Sequence, residues 1–221
     1  LDIAQAVCDE AHKLGLRTSA HIESTEGVEV GLKAGVDTIE HGASLTDELL
    51  KLFKKNGLGN ASSLTCTLSP ALPFAVLSPE KTHSTHVQKV NGRVVYEGVA
   101  TATRQALANG IPVGLGTDSA CPFVTHYDMW REVMYFQRHT GVTPEFALHT
   151  ATLKNAQLLG VANETGSIET GKSADLIVLD ANPLNDLCAL RNVEQVYMAG
   201  KPVKYKAKHL PKIDAELDGI M

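Results

Sequence analysis

The sequence predicts an α/β protein: a parallel sheet built from strand–helix units, followed by a small separate β layer. Three observations predict it. A helix–glycine–strand echo recurs four times between residues 2 and 118. In three of those copies a polar residue, His21, His41 or Asp118, follows the helix-ending glycine at a spacing of six, six and eight. Beyond Gly166 the helical periodicity gives way to short apolar strands.

The elements follow in order. Ala4, Val7, Ala11 and Leu14 recur at three- and four-residue intervals, one stripe of an amphipathic helix over residues 2–14. Gly15 ends it, as a left-handed position beyond a helix demands. Residues 16–20 then read as a strand arriving at His21. The second copy is a helix over Thr25–Ala34, Gly35, and a strand over 36–40 reaching His41. The third is a helix over 47–56, Gly57, and a strand over 63–67. Residues 68–95 are rich in Ser, Thr, Pro and His without a clean period, and read as a long excursion over the active face. A stripe of Val99, Ala102, Ala106 and Leu107 predicts a helix over 96–109, followed by Gly110 and a strand over 111–117. After Asp118 the chain predicts a helix over 127–139. A second helix is opened by Thr143-Pro144-Glu145, a capping hydroxyl with proline at the first helical position. Strands over 175–179 and 193–198, split by Asn182-Pro183, form the β layer. The charged tail, 206–221, reads as a peripheral strand, a helix or a partly disordered end.

Composition sets outer limits. With 221 residues, 43% of them apolar, the chain can bury a sizeable core. No apolar run reaches the roughly 18 residues of a membrane span, and no signal segment opens the chain. A net charge of −5 leaves no electrostatic footprint for nucleic acid. The four cysteines are scattered without paired spacing, so they read as buried thiols of a reducing, cytoplasmic compartment.

Strands alternating with helices through short turns put His21, His41 and Asp118 at the carboxyl ends of parallel strands. Catalytic groups collect at that edge in a barrel, and ligands bind there in an open doubly wound sheet, so both architectures stand at this point. Two imidazoles and a carboxylate form a nitrogen/oxygen donor set for a divalent metal. Such an ion lowers the pKa of bound water to about 7 and polarises a carbonyl. Asp118 could then touch the metal and take the proton from the attacking water. His126 and Tyr127, in the loop after Asp118, are candidate substrate contacts, and so is Thr67 with Ser63 and Thr65 beside it. Trp130 and Met134 read as a buried stripe, and His83 and His86 as solvated side chains. Glu40 precedes His41 on its strand, so strict alternation turns it away from the site. Ser119 lacks a nucleophile elbow and reads as a turn residue.

The strings Ser19-Ala20-His21, Thr38-Ile39-Glu40-His41-Gly42 and Gly116-Thr117-Asp118-Ser119 resemble strands five, six and eight of the amidohydrolase superfamily. The similarity is to its imidazolonepropionase-like and Xaa-Pro dipeptidase-like branch. Thr143-Pro144-Glu145, Ala151-Thr152, Asn155-Ala156, Leu159-Gly160 and the run from Gly166 to Leu179 match as well. The resemblance implies the C-terminal half of a metal-dependent (β/α)8 TIM-like barrel over residues 1–165. Part of a small β-sandwich and the tail then occupy 166–221. It further implies hydrolysis of a C–N bond with one or two divalent metals, usually zinc. In it His21 and His41 match metal ligands, and Asp118 matches the strand-eight ligand and general base. The substrate would be small or dipeptide-like.

The resemblance is partial. No His-x-His pair occurs, and a strand-four lysine would precede Leu1. A full barrel of this type needs about 250 residues. The expectation is therefore a chain that lacks an N-terminal half, holds at most one metal weakly and is inactive alone. An uncovered edge and an apolar interior would then favour self-association. A non-catalytic fragment or binding module, or a deaminase, stands as the alternative.

Overall fold

The structure, a computed structural model, describes residues 1–53, 62–204 and 207–220. The chain divides into two compact units, Leu1–Gly116 and Thr117–Met221. The change to short strands at residue 166 therefore falls within the second unit.

The first unit is a four-stranded parallel sheet with strands in sequence order. Helix α1 spans Asp2–Lys13, and Gly15 follows at φ 72°. Strand β1 is Ser19–Ile22, three residues later than the run predicted at 16–20. The cause is local: Thr18 N donates to Asp37 Oδ2 (2.8 Å), and Thr18 O accepts from Asp37 N and Thr38 N. These bonds tie down the entry to the strand, and His21 lies inside β1 rather than beyond it. Helix α2 spans Thr25–Ala34, as predicted. The Ser24 hydroxyl caps it by accepting from Gly27 N, and Gly35 ends it at φ 91°. Strand β2 is Thr38–His41, helix α3 Asp47–Phe53 and strand β3 Ser63–Cys66. The predicted end of α3 at residue 56, and Gly57, lie outside the described residues.

The excursion predicted over 68–95 is largely helical, and this corrects the sequence reading. It holds α4 (Leu72–Val76), α5 (Pro79–Thr82) and the start of the 23-residue α6 (His86–Ala108). The signal was present in Thr85-x-x-Gln88. The Thr85 hydroxyl accepts from Gln88 N, and Gln88 Oε1 accepts from Thr85 N, closing a capping box. His86 is thus a first-turn helical residue. Strand β4, Val113–Leu115, completes the sheet.

One face of this sheet is apolar and covered by helices. A Cβ at Gly31 of α2 would lie 2.7 Å from Ile22 and 3.1 Å from Ile39, and one at Gly42 would lie 2.7 Å from Leu64 and 3.5 Å from Ala102. The register places Ser19 beside Thr38, His21 beside Glu40, Thr38 beside Ser63 and Glu40 beside Thr65. The opposite face is therefore a polar ladder: Ser19, His21, Thr38, Glu40, Ser63 and Thr65. The expected apolar interior is not found on these strands.

In the second unit α7 is Met129–Thr140 and α8 is Pro144–His149, capped by the Thr143 hydroxyl accepting from Phe146 N. A π turn over Thr150–Lys154 follows, then α9, Asn155–Leu159. Within that turn Thr150 and Thr152 donate their hydroxyls back to Phe146 O (2.8 Å) and Leu148 O (2.7 Å), a competition that loosens the helical ladder. The predicted β layer is a three-stranded antiparallel sheet of β5 (Leu176–Leu179), β6 (Val193–Met198) and β7 (Lys201–Val203). A short 3-10 helix, Leu187–Arg191, precedes β6. The tail carries helix α10, Pro211–Asp218.

Arg131 holds this unit together from the buried face of α7. Its guanidinium contacts Asp128 (3.2 Å) and Asp218 (2.8 Å), and lies 4.4 Å from the centre of the Trp130 ring. Arg191 grips Asp218 through two bonds of 3.1 Å. Of the cysteines predicted buried, Cys8 and Cys66 are buried, whereas Cys121 is exposed and Cys188 half-buried. Among the described residues no helix is long and apolar enough to cross a membrane.

Candidate metal centre

The first unit brings His21 and His41 together. Their ring centroids lie 4.7 Å apart at an interplanar angle of 74°. Alternation along β2 would turn His41 to the helix-covered face, because its register partner is Ile22. The backbone prevents this: His41 has φ 68°, in the left-handed region, and Gly42 follows at φ 82°. The strand ends in a twist that brings the His41 ring to the ring of His21. Gly42 is needed there, since a Cβ would press on Leu64 and φ is unsuited to an L side chain. His41 is buried at 4% exposure, while His21 is exposed.

The same twist corrects the reading of Glu40. This residue shares the face of His21, and Ser19 donates its hydroxyl to Glu40 Oε1 at 2.5 Å. Alternation failed as a guide at the strand's last residue, where a non-glycine takes a left-handed conformation.

Asp118 is the second residue of the second unit, three residues beyond the end of β4. It too is left-handed, at φ 52°, with Ala120 at 86° and Phe123 at 66° in the same loop. Cys121 N donates to Asp118 O (3.0 Å), and the hydroxyls of Thr117 and Ser119 lie 3.4 Å apart. Ser119 therefore does sit within a tight turn. Thr67 is buried directly after β3, and Gly116 leaves room for it: a Cβ there would lie 3.4 Å from Thr67 Oγ1.

His126 is exposed, with its ring 5.3 Å from that of Tyr127. The Tyr127 hydroxyl donates to Asp214 Oδ1 (3.1 Å) and accepts from Leu210 N (2.8 Å), and its ring lies 4.4 Å from that of His209. Burial raises the Tyr127 phenol above its ordinary pKa, with Asp214 adding to the shift. The hydroxyl is thus engaged in anchoring the segment before α10. A cleft of about 820 Å³ lies within the second unit, lined by Tyr127, Trp130, Arg131, Arg191, His209 and Asp214 among others. Its two arginines are already paired with Asp218, so the cleft shows packing chemistry more than a free charge for a ligand.

The residues fit a divalent ion in part. Two imidazoles on one tetrahedral zinc, at about 2.0–2.1 Å per bond, hold their centroids roughly 5 Å apart. The observed 4.7 Å agrees with that. Among the described residues, however, no group of three or more His, Cys, Asp or Glu is placed to hold a metal. The His pair would supply two of the four ligands such an ion takes.

The model of the amidohydrolase family matches residues 2–203, and the chain belongs to that family. It is similar to the crystal structure of a candidate prolidase from Bifidobacterium longum. The identity is 46% and the TM-score 0.94, over 98% of this chain and 54% of that one. A Xaa-Pro dipeptidase structure with bound methionine shows 29% identity and a TM-score of 0.78, over 91% of this chain and 48% of that one. Among curated proteins, imidazolonepropionase of Streptococcus gordonii is 27% identical over 212 residues, 91% of this chain and 44% of that protein. The chain thus spans about half the length of these relatives. The parallel sheet is a partial barrel of the TIM type, and the antiparallel sheet follows it in the chain.

Proposed function

We propose that the protein acts as a metal-dependent hydrolase of an amide or peptide-type C–N bond in a small, dipeptide-like substrate. The reading rests on family membership and, in the molecule itself, on the meeting of His21 and His41. His21 and His41 are its metal-binding imidazoles, and Asp118 is a further ligand and the general base. The divalent ion is zinc, which supplies a water of pKa about 7 and a polarised carbonyl when bound. The twist at His41 holds one imidazole buried and oriented, so that little side-chain freedom is lost on binding. The Asp118 carboxylate accepts the proton of the attacking water as the new C–O bond forms. It returns that proton to the amine nitrogen as the C–N bond breaks. His126 and Thr67 contact the substrate, and Tyr127 offers its ring, its hydroxyl being engaged. A peptide-type substrate is favoured by the prolidase and dipeptidase character of the two structures described.

Completion of the site belongs to an N-terminal half-barrel, as the half-length match to the relatives suggests. The test supplies one. The 221-residue chain, alone and mixed with the amino-terminal half of the B. longum relative, is assayed with zinc against a panel of Xaa-Pro and other dipeptides. The mixture should hydrolyse at least one of them and the chain alone none. Asp118→Asn should lower the rate by a factor of about 100 or more, in the range of a lost acid–base group. An undiminished rate in Asp118→Asn would overturn the role of that residue.

A further inference from the structure

Glu40 plays no part in the chemistry above, yet four observations join it to His21. The strand register makes the two residues direct neighbours, on β2 and β1, with side chains on one face. Ser19, two residues before His21 and on that same face, donates its hydroxyl to Glu40 Oε1. The twist at His41 lets Glu40 and His41 approach His21 from the same strand, although they are adjacent in sequence. Finally, the surrounding ladder of Thr38, Ser63 and Thr65 provides hydroxyls but no other carboxylate or cation on this face of the described strands.

We propose that Glu40, anchored by Ser19, is the positioning residue of His21: its carboxylate accepts the imidazole N–H on the ring edge that does not face the ligand. The inference rests on the reading of His21 as a metal-binding imidazole. A ligating histidine gives up one ring nitrogen to the ion and donates the other N–H. A carboxylate acceptor for that N–H fixes the tautomer and the ring plane and makes the imidazole a better donor. The Ser19 bond engages one carboxylate oxygen of Glu40, and the second oxygen is the acceptor proposed for the imidazole. A glutamine could still accept the bond but without charge, and its amide could equally turn its NH2 to the ring.

Two measurements on the 221-residue chain test this. In the first, zinc is titrated against a chromophoric chelator for the wild type, Glu40→Gln, Ser19→Ala and, as a control, Glu23→Gln, an exposed carboxylate directly after β1. Loss of an outer-shell partner costs about 10–100-fold in metal affinity, and Glu40→Gln should fall in that range. Ser19→Ala should lose less, Glu23→Gln should match the wild type, and Glu40→Gln should add nothing in a His21→Ala background. In the second, ring 15N shifts are recorded without metal. Glu40→Gln should move the tautomer balance of His21 while leaving that of His12, on α1, unchanged; a merely structural role would not single out His21.

Unchanged His21 shifts together with zinc affinity within twofold of the wild type would overturn the proposal while leaving the metal reading intact. Should the wild type bind no zinc, the metal reading fails, and the His21 shifts alone decide whether Glu40 orients the ring. Should Glu40→Gln not fold, Ser19→Ala decides by both measurements, an intermediate loss supporting the proposal and none overturning it.

Discussion

His41 and Asp118 take left-handed backbone at φ 68° and 52°, where an L residue carries a penalty of roughly 1–2 kcal/mol. Strain of this kind persists where the surroundings over-determine it, and it gathers at functional sites. Asp118 is exposed, so the backbone effect can be read there with little interference from packing. Asp118→Gly should gain about 0.5–1 kcal/mol in urea unfolding, Asp118→Ala should lose a similar amount, and Asp118→Asn should stay near the wild type. Equal stabilities of the Gly and Ala variants would mean that φ 52° carries no strain. At this scale the sequence singles out residues but says little about where their side chains point. His21, His41 and Asp118 stood out through their spacing from helix-ending glycines. The face of Glu40 did not, because it depends on one dihedral angle at His41 that no periodicity encodes.

Helices and strands were more legible, and the misses have local causes. Ser24 and Gly35 bracket α2, and the predicted limits Thr25–Ala34 coincide with those of the structure. The start of α6 lies earlier than the predicted 96 because the Ser- and Thr-rich run that reads as loop holds a capping box, Thr85 with Gln88. That helix also packs closely: a Cβ at Gly92 would lie 2.5 Å from the Phe74 Cβ on α4. Gly92→Ala should therefore lose about 1–3 kcal/mol through overpacking, against the gain of about 1 kcal/mol that helix propensity alone would give. A rise in Tm would show that α4 can shift freely.

The link from α1 to the sheet carries a pH signature. Asp37, buried, accepts from Thr18 N (2.8 Å) and the Thr18 hydroxyl (3.1 Å), and lies 2.8 Å from His12 Nε2. Burial alone would raise its pKa, but the bonds from Thr18 and His12 outweigh it and hold the carboxyl below its ordinary value. A depressed folded-state pKa contributes stability that is present above the unfolded value of about 3.9 and lost as the pH falls through the folded one. Asp37→Asn should thus cost about 1.5–3 kcal/mol at pH 7. The gap to the wild type should narrow below about pH 4; a gap that stays constant from pH 7 to pH 3 would contradict the assignment.

For the molecule as a whole, the first unit leaves apolar side chains in water. On α1 and beyond it Ile3 is 84% exposed, Val7 61% and Leu14 67%. Of the predicted stripe, Val7 and Leu14 are thus exposed and Ala4 and Ala11 half-buried, and Cys8 is the one buried side chain of the helix. Strands β1 and β4 also close the order of a four-stranded sheet, so β1 presents an edge. Exposed apolar surface of this kind favours association. The sedimentation mass should rise above 23.6 kDa with concentration. Ile3→Lys with Val7→Lys should return it toward the monomer, and a concentration-independent monomer would show that this face is tolerated in water. The parallel sheet and the later β layer were legible from composition and period. The polar ladder on the face opposite the helices was not, since period two reports alternation but not which face the helices will cover.

The central claim is that His21 and His41 bind a divalent metal. Metal analysis of the purified chain, dialysed against zinc and then against metal-free buffer, tests it most directly. The account predicts bound zinc at less than one ion per chain, abolished when His21 and His41 are both replaced by alanine. Zinc retained unchanged by that double variant, or two tightly bound ions per chain, would contradict it.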